Sequence, residues 1–314
     1  MDLPTTKLMT MKIQIPLFIV ILLVLLSSRV IAQDDMMALL NKDEKPTIDY
    51  TSATFKTTKV VIGQSSENSP TGNLLFMITH HFGALNSGYE NLFGLKQATV
   101  RLGLEYGATD WLGFGVGLNT LKNTWDGFAK VKALRQSTGA RRMPITMTIF
   151  GSTSIYTTKW EDPTRTNYFT SRISYASQVI VARKFGDRLS LQIAPTYVHL
   201  NLVPSYNDHN NIFSLGAAGR FKVSERVSIN AEYYYLFPKQ IVSTPAYSSF
   251  SAGVDIETGG HVFQIFLTNS MGENMESIIT QTTGTWFKGN IFLGFNISRV
   301  FTVVKPKEYR KKGN

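Results

Sequence analysis

The stretch Leu112-Gly113-Phe114-Gly115-Val116-Gly117-Leu118-Asn119 alternates large apolar residues with small or polar ones at every step. A period of two marks a strand whose successive side chains point to opposite faces. The alternation recurs on both sides of this stretch. Across 96–106, Ala98, Val100, Leu102 and Leu104 oppose Gln97, Thr99, Arg101 and Glu105. Across 213–221, Leu215 and Phe221 oppose Ser214, Gly216 and Arg220. In 227–237, Val227, Ile229, Ala231, Tyr233 and Tyr235 oppose Ser228, Asn230 and Glu232, and in 290–301 Ile291, Leu293, Phe295 and Ile297 oppose Gly294, Asn296 and Ser298.

Continued along the chain, this reading predicts about twelve strands, near 73–82, 96–107, 111–121, 125–134, 143–158, 170–184, 188–203, 211–223, 227–238, 249–258, 261–270 and 287–303. Each approaches the length of a tilted membrane-crossing strand. Tight turns at Ala108-Thr109-Asp110, Gly186-Asp187, Ser224-Glu225-Arg226 and Gly259-Gly260 alternate with long polar loops at 83–95, 159–169, 204–210, 239–248 and 271–286. The expected fold is all-β: a transmembrane antiparallel up-and-down β-barrel with both termini in the periplasm. The least regular link, 135–142, leaves the count open by two strands.

A soluble β-sandwich also alternates in and out. Composition decides against it. Of 314 residues 43% are apolar, 12% aromatic and only 17% charged, against roughly 25% charged in ordinary soluble domains. The polar face is rich in Gly, Ser, Thr and Asn, and the apolar face carries the aromatics that lipid contact and interfacial girdles use. Trp111, Trp125, Trp160 and Trp286 all fall at predicted strand ends.

The N-terminus sets the compartment. Residues 13–26 are almost wholly apolar, preceded by Lys7 and Lys12 and followed by Val30-Ile31-Ala32, as in a cleaved signal peptide over 1–32. Met11 is an alternative start. An uncleaved anchor is the rival, but the run is shorter than the roughly 20 residues a spanning helix needs. Cleavage before Gln33 removes three basic residues and one acidic one, so the net charge falls from +10 to +8. The densest basic cluster, Lys305, Lys307, Arg310, Lys311 and Lys312, lies in a terminal tail (304–314) expected to be solvated. No zinc-finger spacing, RNA-binding motif or basic helix accompanies it, so nucleic acid is not expected as a partner. Residues 33–72 are read as a periplasmic extension that packs against the barrel mouth or enters it, a simple lead-in being the alternative. Within it, Thr54–Gly63 has strand composition and Gln64–Gly72 that of a turn or linker.

Several stretches carry a resemblance: Gly72-Asn73-Leu74, Ile78-Thr79-His80-His81-Phe82-Gly83, Asn91-Leu92-Phe93-Gly94-Leu95, Gly103-Leu104-Glu105-Tyr106-Gly107, Gly259-Gly260-His261-Val262-Phe263-Gln264 and Gly294-Phe295-Asn296-Ile297-Ser298-Arg299. Together, over about 54–303, they resemble an uncharacterised family of Bacteroidota outer-membrane β-barrel proteins, a domain of unknown function. The resemblance implies location and fold, and carries no activity, substrate or catalytic residue. The chain departs from that pattern at His81, where the family has arginine.

Little in the chain points to catalysis, and the protein is not expected to be an enzyme. The absence of cysteine excludes disulfides, thiolate metal sites and covalently attached haem. No His-x-Ser pair stands ready for nucleophilic work. Asp208-His209 falls in a predicted loop, where a solvated pair is the ordinary reading. His80 and His81 are adjacent on a strand, point to opposite faces and so cannot chelate one ion; His81 is the one expected to face inward. No metal or other cofactor is expected, and glycines such as Gly113 and Gly115 precede no helix that could cradle a phosphate.

The most informative residues are the inward polar ones: Arg101, Glu105, Arg172, Arg220, Glu232, Asp255, Gln264 and Asn296. Opposed charges in a narrow lumen can orient a polar solute; alternatively they pair with each other across a closed lumen. The expectation is porin-like passage or binding of a small polar or charged solute. The rival is a non-conducting structural or docking barrel for a periplasmic protein such as a redox partner. Outer-membrane lipid is the expected surrounding.

Overall fold

The computed structural model describes residues 47–160, 162–164 and 166–304. The signal segment, residues 33–46 of the extension and all of the basic tail beyond Val304 lie outside the described residues. Twelve antiparallel strands close into a barrel in chain order. They are β2 (Asn73–Ala84), β3 (Ala98–Gly107), β4 (Leu112–Asn119), β5 (Thr124–Leu134), β7 (Thr146–Tyr156), β8 (Ile173–Phe185), β9 (Leu189–Leu200), β10 (Asn211–Lys222), β11 (Val227–Leu236), β12 (Ser249–Thr258), β13 (His261–Thr268) and β14 (Phe292–Thr302). The seam joins β14 to β2, with Asn73 opposite Thr302. Closure leaves no unpaired edge to face hydrocarbon, where an unsatisfied backbone group costs several kcal/mol.

Burial is inverted relative to a soluble protein. Leu102, Leu104, Phe114, Val116, Ile149, Ile193, Phe213 and Ile229 are exposed, while Arg101, Glu105, Lys130, Gln192, Glu232 and Asn296 are buried. Charged groups are rarely so buried in soluble domains; here the apolar face is solvated by lipid and the polar face is enclosed. The glycines of β4 belong to the inner face. A Cβ at Gly117 would lie 2.2 Å from the Arg101 guanidinium, and one at Gly115 2.3 Å from the Phe128 ring, so both leave room for a large inward neighbour. Trp111 and Trp125 are exposed at opposite ends of the β4–β5 hairpin, matching interfacial belts.

The rim that carries Asn73 and Thr302 also carries the connections at 108–111, 135–145, 186–188, 223–226 and 259–260; the opposite rim carries 85–97, 120–123, 157–172, 201–210, 237–248 and 269–291. The regular exchange of turn and loop breaks around β5, where the link at the loop-rich rim is short and that at the terminal rim is long. The long link has a partner. Two further strands, β1 (Ile48–Tyr50) and β6 (Ser137–Gly139), pair antiparallel outside the barrel, and the Arg135 guanidinium covers the Tyr50 ring at 4.1 Å.

Asp208 serves structure rather than proton transfer. Its carboxylate accepts from the backbone N–H groups of Val242 and Ser243 at 2.7 and 2.9 Å and from the Ser243 hydroxyl. Burial pushes its pKa up, but those hydrogen bonds outweigh burial and hold the carboxyl below its ordinary value. It ties loop 201–210 to loop 237–248. The neighbouring His209 is exposed.

Candidate functional site: the lumen and its two inserted segments

The lumen is filled by two pieces of this same chain. The first is 54–69, entering from the terminal rim. Thr54–Gly63 does not form the strand its composition suggests: it is irregular, with one isolated bridge from Lys59 to Gln64. The reason is that its backbone groups are engaged by wall side chains rather than by a neighbouring strand. Glu232 accepts three successive N–H groups, from Val61 at 3.2 Å, Ile62 at 2.8 Å and Gly63 at 2.9 Å. Gln264 donates to the Val60 carbonyl at 3.1 Å and Asn296 to that of Val61 at 2.7 Å. Gln192 accepts from the Ser66 N–H and donates to the Gln64 carbonyl. The Lys130 ammonium reaches the carbonyls of Thr58, Ser65 and Glu67, and Arg220 those of Ala53 and Thr54. Buried main-chain groups must find partners, and the wall supplies them.

The second piece is the β13–β14 connection, whose residues 272–280 are buried. It contains the short helix α1 (Met275–Thr280), capped by Asn274 in a capping box with Ser277. Asn274 also donates to the Ser154 hydroxyl at 3.0 Å, and Tyr156 donates to Glu276. The Glu273 carboxylate takes His81 at 3.0 Å and Thr99 at 3.2 Å. The two pieces meet where the Lys59 ammonium donates to the Glu273 carbonyl at 3.2 Å. Burial, aided by the nearby Arg101 charge, lowers the Lys59 pKa to about 8. Around the junction Phe55, Val60, Val61 and Ile62 join Met275, Ile278 and Ile279 and the wall residues Phe150, Ile180, Ile212, Tyr234 and Phe266 in one apolar cluster.

Asn274→Ala removes the cap and the Ser154 contact. Loss of such a cap costs about 1 kcal/mol, so amide exchange of 275–280 in the detergent-solubilised protein is expected to rise about fivefold. Unchanged exchange would mean that the cap does not hold the helix in place.

Seven of the eight sequence-predicted lumen residues lie on the inner wall and are buried: Arg101, Glu105, Arg220, Glu232, Asp255, Gln264 and Asn296. Glu232, Gln264, Asn296 and Arg220 grip the first segment directly. Asp255 accepts from Gln264 at 2.8 Å and so orients it. Arg101 forms a two-point ion pair with Asp126 at 2.8 and 2.5 Å. Arg172 is the correction: it ends a 3-10 turn, Phe169–Arg172, ahead of β8, where strand alternation does not apply. Its guanidinium covers the Trp160 ring at 3.8 Å and donates to the Tyr156 carbonyl at 2.8 Å.

Sequence reasoning missed Asp126, Lys130, Lys59 and Glu273. The first two were accessible, since the alternation of β5 places both inward opposite Trp125. His81 is fully buried and inward, while His80 stacks on the outward Phe295 at 4.9 Å.

A closed wall, apolar outside and polar inside, defines a membrane-bound β-barrel. The chain belongs to the family described as membrane bound beta barrel domain (DUF5777), whose model matches residues 55–301. The match starts at Phe55 and so takes in the first inserted segment as well as the wall. No curated protein matches the chain in sequence. Among solved structures, the chain is similar to an outer membrane channel (COG4313) from Pseudomonas putida F1, with 13% identity over 75% of this chain and 98% of that one and a TM-score of 0.47. It is also similar to the NanC porin, with 10% identity over 74% and 100% and a TM-score of 0.45, and to the KdgM porin, with 8% identity over 73% and 98% and a TM-score of 0.43.

Proposed function

We propose that the protein is an outer-membrane passage for a small polar or charged solute, exported by a cleaved signal peptide, narrowed by 272–280 and held shut by 54–69. The terminal rim faces the periplasm and the loop-rich rim the exterior. The observation that carries this reading is the way 54–69 is held: non-covalently, by wall side chains bonded to its main chain. Such a grip can be released without breaking the wall. Seating buries the Lys59 ammonium, a cost that unseating relieves. Once 54–69 has left, Glu232, Lys130, Gln192 and Arg220 face the space it filled beside 272–280, with both charge signs available to a solute.

The test is single-channel conductance in planar bilayers. The mature protein is expected to be silent, and a variant with 54–69 replaced by a Gly-Ser linker of equal length is expected to give stable ion-selective steps. A variant that folds, by circular dichroism and heat-dependent gel mobility, yet stays silent would remove the passage reading.

The second reading is a sealed barrel that docks a periplasmic protein. It is favoured by the apolar cluster that welds both segments to the wall, since such burial stabilises the filled state. Pull-downs with residues 33–53 or 304–314 deleted would test it, an unchanged set of partners counting against docking through those ends.

A further inference from the structure

We infer that the lumen is a peptide-binding site whose ligand class is a bent, irregular segment carrying two apolar residues followed by glycine, and that 53–69 is its resident occupant. The inference rests on the first segment being releasable, though not on conduction. Its warrant is the form of the hydrogen bonds between wall and segment. Glu232, Gln264, Asn296, Gln192, Lys130 and Arg220 all bond to main-chain N–H or carbonyl groups of 53–67. These bonds fix the course of the segment's main chain, whose buried polar groups need partners, and its buried side chains add to them.

Side chains of the segment are engaged at several places: Phe55 and Val60 pack in the apolar cluster, Lys59 donates to the Glu273 carbonyl and Lys132 pairs with Glu67. The sharpest constraint lies at 61–63. Glu232 gathers the N–H groups of Val61, Ile62 and Gly63, so none of the three positions tolerates proline, which has no N–H. Val61 and Ile62 enter the apolar cluster with Phe150, Ile180 and Ile212. Gly63 passes beneath Tyr234: a Cβ there would lie 2.0 Å from the Tyr234 hydroxyl and 2.7 Å from two ring carbons. Tyr234 is itself buried in the cluster, so it has no free volume to retreat into. The wall therefore specifies an apolar, apolar, glycine triplet within a segment whose flanking Thr54, Phe55, Thr58, Lys59, Ser65 and Ser66 are buried as well.

The test uses fluorescein-labelled peptides and the Gly-Ser linker variant, with binding followed by fluorescence anisotropy in detergent. Four peptides are compared: the 53–69 sequence, the same composition fully shuffled, and the native sequence carrying Gly63→Ala or Ile62→Pro. The native peptide is expected to bind, the shuffled and alanine peptides at least tenfold more weakly and the proline peptide not at all. No binding by the native peptide, or binding by the shuffled or alanine peptide equal to it, would overturn the inference.

Should the linker variant not fold, a protease site is inserted between the exposed Pro70 and Thr71 of the full chain and cut after folding. The labelled native peptide is then expected to exchange with the severed segment and the alanine peptide is not; no exchange by the native peptide, or equal exchange by both, overturns the inference. A barrel that binds peptide without conducting sinks the passage reading alone. One that conducts without binding peptide sinks this inference alone.

Discussion

Glu232→Gln is expected to loosen the first inserted segment more than any other single wall substitution. The wild-type carboxyl group offers two acceptor oxygens to three N–H groups. A glutamine keeps one acceptor and turns an NH₂ toward donors that need the opposite. Buried hydrogen bonds to a charged acceptor are worth about 1.5–3 kcal/mol each, and an unsatisfied donor adds a penalty. A conservative total of about 2–4 kcal/mol multiplies the unseated fraction roughly 30- to 800-fold. Amide exchange at 61–63 measures that fraction directly, and channel openings should rise with it. Exchange in the variant equal to wild type would show that Glu232 does not hold the segment.

Asp126→Ala is expected to destabilise the wall rather than the inserted segments. Arg101 and Asp126 are both buried and joined at two points, and the Arg101 guanidinium lies over Gly103 and Gly117. Removing one member of a buried pair costs about 3–5 kcal/mol, because the other charge stays behind without its partner. Urea unfolding in lipid vesicles should show a loss of about that size. The double variant Arg101→Met with Asp126→Leu should recover most of it, since apolar groups of similar volume replace both charges at little cost. A single variant within about 0.5 kcal/mol of wild type would mean that the pair is not a structural clasp.

The wall was legible because a barrel strand obeys a local rule. Leu102 and Leu104 lie on the opposite face from Arg101 and Glu105 in any strand, whatever surrounds it, and the twelve predicted segments match the observed strands apart from their ends. The rule also explains the failures. Arg172 has the right parity relative to the buried Ser174, but it sits in a 3-10 turn before the ladder begins. Thr54, Thr57, Thr58 and Val60 to Ile62 have the β-branched character of a strand, yet they serve as packing against a wall. Composition cannot tell a pleated partner from a surface of side chains. Lys59 and Glu273 had no periodicity around them, and their encounter joins residues 214 positions apart. The exchange of short and long links around β5 was hidden as well, because the length of 135–145 reflects its pairing with Ile48–Tyr50.

Gly72 carries a consequence for the order in which the molecule is built. At a φ of 75°, its N–H donates to the Gly107 carbonyl at 2.8 Å, and its own carbonyl accepts from Val303 at 3.0 Å and Val304 at 2.9 Å. One residue thus fastens the stem of the first inserted segment, the end of β3 and Val303–Val304 just after β14. β14, synthesised long after β2, must find it across most of the sequence, a slow long-range closure. That search ends on a residue already bound to the stem. A barrel that zips its seam first would have to thread some sixteen residues through a finished rim; assembly around the stem, as around a mandrel, needs no threading.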